Sequence, residues 1–153
     1  YFKELADDTL LQIAKHTPRP LVTIPRTLPT GEAVVIAYDG SLQAARALHA
    51  LVASGLCEGR SVHIIAIDAD ESEAQQRATY AADYLTLYDI DAEVHTNTEH
   101  HHIADTLLSV AERLDAGFLV MGAYGKPTLK EFVLGSVTDS AIRSAQIPVF
   151  LYH

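Results

Sequence analysis

The chain has 153 residues, of which 48% are hydrophobic and 20% charged; 11 Lys+Arg against 20 Asp+Glu give a formal net charge of −9. This describes a globular domain with a real core, and it excludes a disordered chain. The acidic balance excludes a general binder of nucleic acid or anionic membrane, which needs clustered Lys and Arg.

The first helical pattern is amphipathic, with Phe2, Leu5, Thr9, Leu10 and Ile13 on one face. Leu21–Ile24 reads as a short strand between Pro20 and Pro25, and the segment up to Gly31 as a linker. Ala33-Val34-Val35-Ile36-Ala37-Tyr38 is a continuous apolar run, as in a buried strand. Asp39-Gly40-Ser41 breaks it. Ser41 is a good N-cap for a helix carrying Leu42, Ala45, Leu48 and Val52, which Gly55 and Gly59 close. Val62–Ile67 is a second buried strand, followed by acidic Asp68 and Asp70 and by a helix marked by Ala74, Ala78, Ala81, Leu85 and Tyr88. Asp91–Thr96 is a weaker strand. Ile103, Leu107, Val110 and Leu114 mark another helix, with His100–His102 expected at its start. Phe118–Met121 is a third buried strand. Val137, Ala141 and Ala145 mark the last helix, and Pro148–Tyr152 the last strand.

Strands alternating with helices predict an α/β fold with a mostly parallel sheet and right-handed crossovers. Ligands of such sheets bind beyond the carboxyl ends of the strands. The residues to watch are therefore Asp39-Gly40-Ser41, Asp68 and the stretch from Gly122. In that stretch Gly122, Gly125, Gly135 and Ser136 form a G-x2-G-x9-G-S pattern between a buried strand and a helix start. Glycines allow close backbone approach, a helix N-terminus favours an anion, and Lys126 and Lys130 add positive charge. Together they suit the phosphates of a nucleotide. The pattern is neither a Walker A loop nor a dinucleotide fingerprint.

From Ala33 to Tyr152 the sequence resembles the universal stress protein family, through the order of its elements, the intact glycine motif and Asp39-Gly40-Ser41 closing the first strand. The resemblance implies a Rossmann-like five-stranded parallel sheet in the order 3-2-1-4-5. It also implies ATP binding as a regulator of stress survival. On that basis Gly125, Gly135 and Ser136 hold phosphates, Gly122 belongs to the same binding motif, Asp39 bonds the ribose or adenine side, Ile67 contacts adenine, and Val137 offers its backbone N–H. Members often dimerise or occur as tandem repeats. Tyr124 departs from the pattern, because this position is often basic.

The opening residues resemble the end of the chain. Lys3-Glu4 matches Lys130-Glu131, Thr9 matches Ser136, Ala14 matches Ala141, and Pro20-Leu21-Val22 matches Pro148-Val149-Phe150. Residues 1–25 are thus expected to be the last helix and strand of a preceding copy, 26–32 a linker, and 33–153 a complete domain. Asp8 stands where Gly135 stands in the full copy, so the upstream copy is expected not to bind phosphate. Leu21–Ile24 is expected to lie antiparallel to Pro148–Tyr152, joining two copies or two chains.

The remaining candidates are weaker. Asp68, Asp70, Glu71 and Glu73 could hold magnesium beside ATP, but acidic residues also suit a first helical turn, and that reading is preferred. His95 and His100–His102 lack a standard zinc spacing and read as solvated; His63, in a strand, reads as an exposed or satisfied residue. No nucleophile–base set is present, so at most slow ATP hydrolysis is expected. Cys57, the lone cysteine, reads as an ordinary buried or loop residue and excludes an intrachain disulfide. With no apolar run of about 18 residues and no signal-peptide layout at Tyr1–Glu4, a reducing, cytoplasmic setting is expected. The leading expectation is an ATP-dependent switch. The alternatives are a nucleotide-independent dimerisation or interaction module, and a metal or hydrolytic enzyme built on the histidines.

Overall fold

Three apolar runs, the first two rich in β-branched residues, become three neighbouring buried strands. A computed structural model describes residues 2–99, 101–124 and 135–153, with the backbone alone for residues 2–8. The chain opens with α1 (Phe2–His16) and β1 (Leu21–Thr23). There follow β2 (Ala33–Ala37), α2 (Leu42–Ser54), β3 (Val62–Ile67), α3 (Glu71–Thr86), β4 (Ala92–Asn97), α4 (Ile103–Arg113), β5 (Ala116–Gly122), α5 (Ser136–Ser144) and β6 (Val149–Tyr152).

The strands form one sheet in the order β1-β6-β5-β2-β3-β4. From β2 to β6 all neighbours are parallel, and read from the other edge they give the expected 3-2-1-4-5 order. The N-terminal strand joins these five in the antiparallel arrangement expected of Leu21–Ile24 and Pro148–Tyr152. β1 adds a sixth, antiparallel to β6, pairing Leu21 with Leu151, Val22 with Phe150 and Thr23 with Val149. Without it, the outer edge of β6 would present unpaired backbone groups.

Two cores sandwich the sheet. Val34, Ile36, Ile64 and Val120 pack on one face against Leu48 and Leu51 of α2 and Ala74, Ala78 and Leu85 of α3. Val35, Ile65, Leu119 and Val149 pack on the other against Ala14 of α1, Leu107 and Val110 of α4 and Ala141 of α5. The chain thus winds one way from β2 and the opposite way from β5. The two strands are adjacent, and between them lies the switch point of the sheet.

Caps set two helix starts. The Ser41 hydroxyl accepts from the Ala44 N–H at 3.1 Å, opening α2. Asp70 accepts from the Ser72 and Glu73 N–H groups at 2.8 and 3.4 Å, opening α3. The expected helical start at the histidine run is not observed. α4 begins at Ile103; His101 and His102 form an exposed turn before it, and His100 lies outside the described residues. His102 has non-helical dihedrals (φ −126°, ψ 56°).

Candidate functional site

Two loops leave the sheet at the switch point. The first follows β2. Asp39 accepts a hydrogen bond from the Ser41 N–H at 2.9 Å, which folds the Asp39-Gly40-Ser41 turn over the start of α2. Asp39 is half-buried.

The second loop follows β5. Gly122 ends the strand beside the first turn of α2: a Cβ there would meet the Ala44 nitrogen at 2.5 Å and the Gln43 carbonyl carbon at 2.6 Å. Close packing alone therefore requires glycine at this position. Gly125, Lys126 and Lys130 lie outside the described residues, as does the whole of 125–134. The chain is described again at Gly135, which has φ +88° and caps α5. Gly135 has no side chain with which to cap α5, so among the described residues no side-chain cap bond holds the first-turn N–H groups of Ser136 and Val137. Both side chains are half-buried.

Tyr124 joins the two ends of this loop. Its backbone is left-handed (φ 55°), and its N–H donates to the buried Thr138 hydroxyl at 3.3 Å. Its phenol donates to the Asp139 carboxylate at 2.8 Å. The ring lies against Gly135, where a Cβ would come within 2.6 Å of Tyr124 Cδ1. Burial first, and then Asp139, push the phenol above its ordinary range. The Lys15 amino group of α1 sits 5.2 Å from the ring centroid and 3.9 Å from the Asp139 carboxylate. A cation from α1 thus stands beside the tyrosine at position 124.

Ile67 closes β3 nearby. Its side chain is buried in the same cluster as Met121 and Ala123, the residues that flank Gly122. Asp68, the next residue, is also buried. It accepts from Arg77 at 2.6 Å and from the Asp70 N–H at 3.0 Å, and Arg77 is also 3.6 Å from Glu73. Asp68, Asp70 and Glu73 are therefore used in capping and ion pairing, and Glu71 is exposed in the first turn of α3. The helix reading thus holds for Asp70, Glu71 and Glu73, whereas Asp68 precedes α3 and serves as the partner of Arg77.

Sequence reasoning missed one group. His63 on β3 meets His95 and Glu93 on β4, with His63 Nδ1 3.1 Å from His95 Nε2. Burial first, and then His95, hold His63 below its ordinary range, while Glu93 opposes them. The signal was an E-x-H alternation on one strand beside a histidine on its parallel neighbour. Cys57 is buried, and burial pushes its thiol up to about 11, which leaves little thiolate at neutral pH.

A cavity of about 420 Å³ runs along α4 towards the start of β5. Asp105, Glu112 and Asp115 line it, which opposes an anionic ligand.

The sequence model of the universal stress protein family matches residues 32–153. The chain belongs to that family. It is 25% identical over 141 residues to universal stress protein Slr1230 of Synechocystis, covering 92% of this chain and 49% of that protein. A crystal structure of a universal stress protein from Archaeoglobus fulgidus superposes with a TM-score of 0.74 at 23% identity, over 93% of this chain and 52% of that one. The chain therefore spans about half the length of both. Another Archaeoglobus fulgidus universal stress protein, in complex with dAMP, gives 0.62 at 22% identity over 87% of this chain and all of that one (100%). A universal stress protein in complex with cAMP gives 0.61 at 22% identity over 80% of this chain and 97% of that one. These structures share the fold.

Proposed function

We propose that the crevice at the carboxyl ends of β2 and β5 binds an adenine nucleotide, with ATP the leading candidate, and that occupancy acts as a switch. The observation that carries this is the placing of the Asp39 turn and the side-chain-uncapped start of α5 on either side of the sheet's switch point. The dAMP and cAMP complexes of two family members support the ligand class. Asp39 takes the ribose or adenine side, and Ile67 with the apolar surface around it takes the base. Gly125 and Gly135 admit the phosphates closely, Gly122 holds the loop against α2, and Ser136 and Val137 offer N–H groups. ATP supplies charge and hydrogen-bond acceptors opposite the start of α5. No turnover is required. Magnesium accompanying ATP relies on the phosphates and water, because Asp68 is committed to Arg77. A reducing, cytoplasmic setting suits the buried free thiol of Cys57.

A second reading rests on the β1–β6 register. In the internal match, Leu21, Val22 and Thr23 correspond to Val149, Phe150 and Leu151. The observed pairs make Val22 face its own counterpart, with Leu21 and Thr23 exchanged about it. This is the register of two identical strands related by a two-fold axis. Ala14 and Ala141, also matched, are both buried in one cluster. The register supports α1–β1 as the end of a preceding copy docked on a full domain, residues 33–153. The same pairing between separate chains would make a homodimer, whether or not nucleotide binds.

Calorimetric titration with Mg-ATP tests the first reading. Wild-type protein is expected to bind in the micromolar range, and Gly135→Asp, which places a carboxylate at the phosphates, to lose binding. Wild-type affinity in the variant would overturn the site.

A further inference from the structure

β3 and β4 run parallel, with His63 opposite Glu93 and Ile65 opposite His95. Side chains alternate across a strand, so these residues share one face. It is the α4–α5 face, because Val62, Ile64, Ala92 and Val94 pack in the core on the other side. β4 is the edge strand. His63 and His95 are mostly covered, with 13% and 21% of their side chains exposed, whereas Glu93 is 66% exposed.

Candidate ligand atoms of three residues converge there. His63 Nδ1 lies 3.1 Å from His95 Nε2 and 3.5 Å from a Glu93 oxygen, and the other Glu93 oxygen lies 3.8 Å from His95 Nε2. A tetrahedral zinc ion with bonds of about 2.0–2.1 Å needs its ligand atoms about 3.3–3.4 Å apart. The imidazole–imidazole separation falls just below that value, each carboxylate oxygen stands just above it from one imidazole, and one ligand atom from each residue lies within 4.8 Å of the others, so an ion requires only modest side-chain shifts. We infer that His63, His95 and Glu93 form a zinc site with a fourth position open to water.

The donor set argues for the metal. Two imidazoles and one carboxylate suit zinc, whereas magnesium and calcium prefer oxygen alone. One carboxylate offsets half of the ion's charge. Three protein ligands and an open side are the layout of an accessible zinc site rather than a closed structural one. The ion would tie the edge strand to its neighbour. It is distinct from any magnesium that accompanies nucleotide: His63 precedes Ile67 by four residues, about 13 Å along the strand. The inference is independent of nucleotide binding. The simpler alternative is a metal-free cluster in which the two imidazoles share a hydrogen bond.

The test uses untagged, chelator-treated protein titrated with zinc sulfate by calorimetry. The expected result is one zinc per chain, bound at micromolar affinity or tighter. Losing a hydrogen-bond partner behind a ligand already costs about 10–100-fold in metal affinity, so His63→Gln, His95→Gln and Glu93→Gln should each cost at least about tenfold. The double variant His101→Gln/His102→Gln, in the exposed turn before α4, should bind as wild type. Glu93 is exposed, so Glu93→Gln decides the matter should either histidine variant fail to fold. Absence of binding at micromolar free zinc, or full affinity in Glu93→Gln and in the folded histidine variants, would overturn the site.

Discussion

Gly135 is the residue on which two constraints meet. Its φ of +88° lies where an L side chain costs about 1–2 kcal/mol, and a Cβ would also strike the Tyr124 ring. Gly135→Ala should therefore destabilise the protein by at least that amount in urea unfolding, and an unchanged midpoint would contradict the packing described. Tyr124→Phe keeps the ring and removes the bond to Asp139, so a loss of about 1 kcal/mol is expected in the same measurement. Tyr124, Tyr38 and Cys57 also set an alkaline limit. All three are held above their ordinary ranges, chiefly by burial. The unfolded chain releases these protons first, so their contribution is intact below the unfolded values, near 9 for the thiol and 10 for the phenols. It is lost as pH rises through the folded ones. Melting temperature should fall as pH rises from 9 past 10, less steeply in Tyr124→Phe. Equal slopes in the two proteins would deny Tyr124 this role.

At the scale of elements, small residues decide how closely α3 approaches the sheet. Ala74, Ala78 and Ala81 are fully buried in a row ending at Leu85. Ala78→Leu should overpack this seam and cost about 1–3 kcal/mol by urea unfolding, with a neutral result contradicting the close approach. The same logic governs the edge of the sheet. Deleting residues 1–25 removes β1 from β6 and α1 from α5, and should drive self-association through the bared edge, read by light scattering. A deletion variant that keeps the parent's mass and solubility would contradict that role. Most elements were legible because burial on both faces writes a strand as an unbroken apolar run, as at Ala33–Ala37 and Val62–Ile67. The start of α4 was not, because His102 makes no cap bond and gives no signal in its residue type. Of the proposed site, Gly122, Gly135 and Ser136 stand out in the sequence through one spaced motif and Asp39 through its place just after a strand, whereas Ile67 and Val137 enter only through the family resemblance. Two other features depended on pairing, which local periodicity does not encode. One is the cluster of His63, Glu93 and His95, which exists only in the β3–β4 register; the other is the placing of Lys15 over Tyr124.

Across the whole molecule, the sheet's reversal of winding at β2 and β5 brings loops far apart in sequence out side by side, although the chain is acidic overall. Charge repulsion on an approaching nucleotide is screened beyond about 8–10 Å, so in the proposed reading the local donors of the α5 N-terminus would govern binding. Binding to the folded state alone stabilises it by about 2.7 kcal/mol at a hundredfold excess over the dissociation constant, which a thermal melt with ATP should register. The most direct measurement is a backbone amide NMR titration with Mg-ATP on this 16.6 kDa chain. The account predicts saturable shifts centred on Asp39, Gly40, Ile67, Gly122, Gly135, Ser136 and Val137. Shifts confined to other surfaces, or none at millimolar ATP, would contradict it.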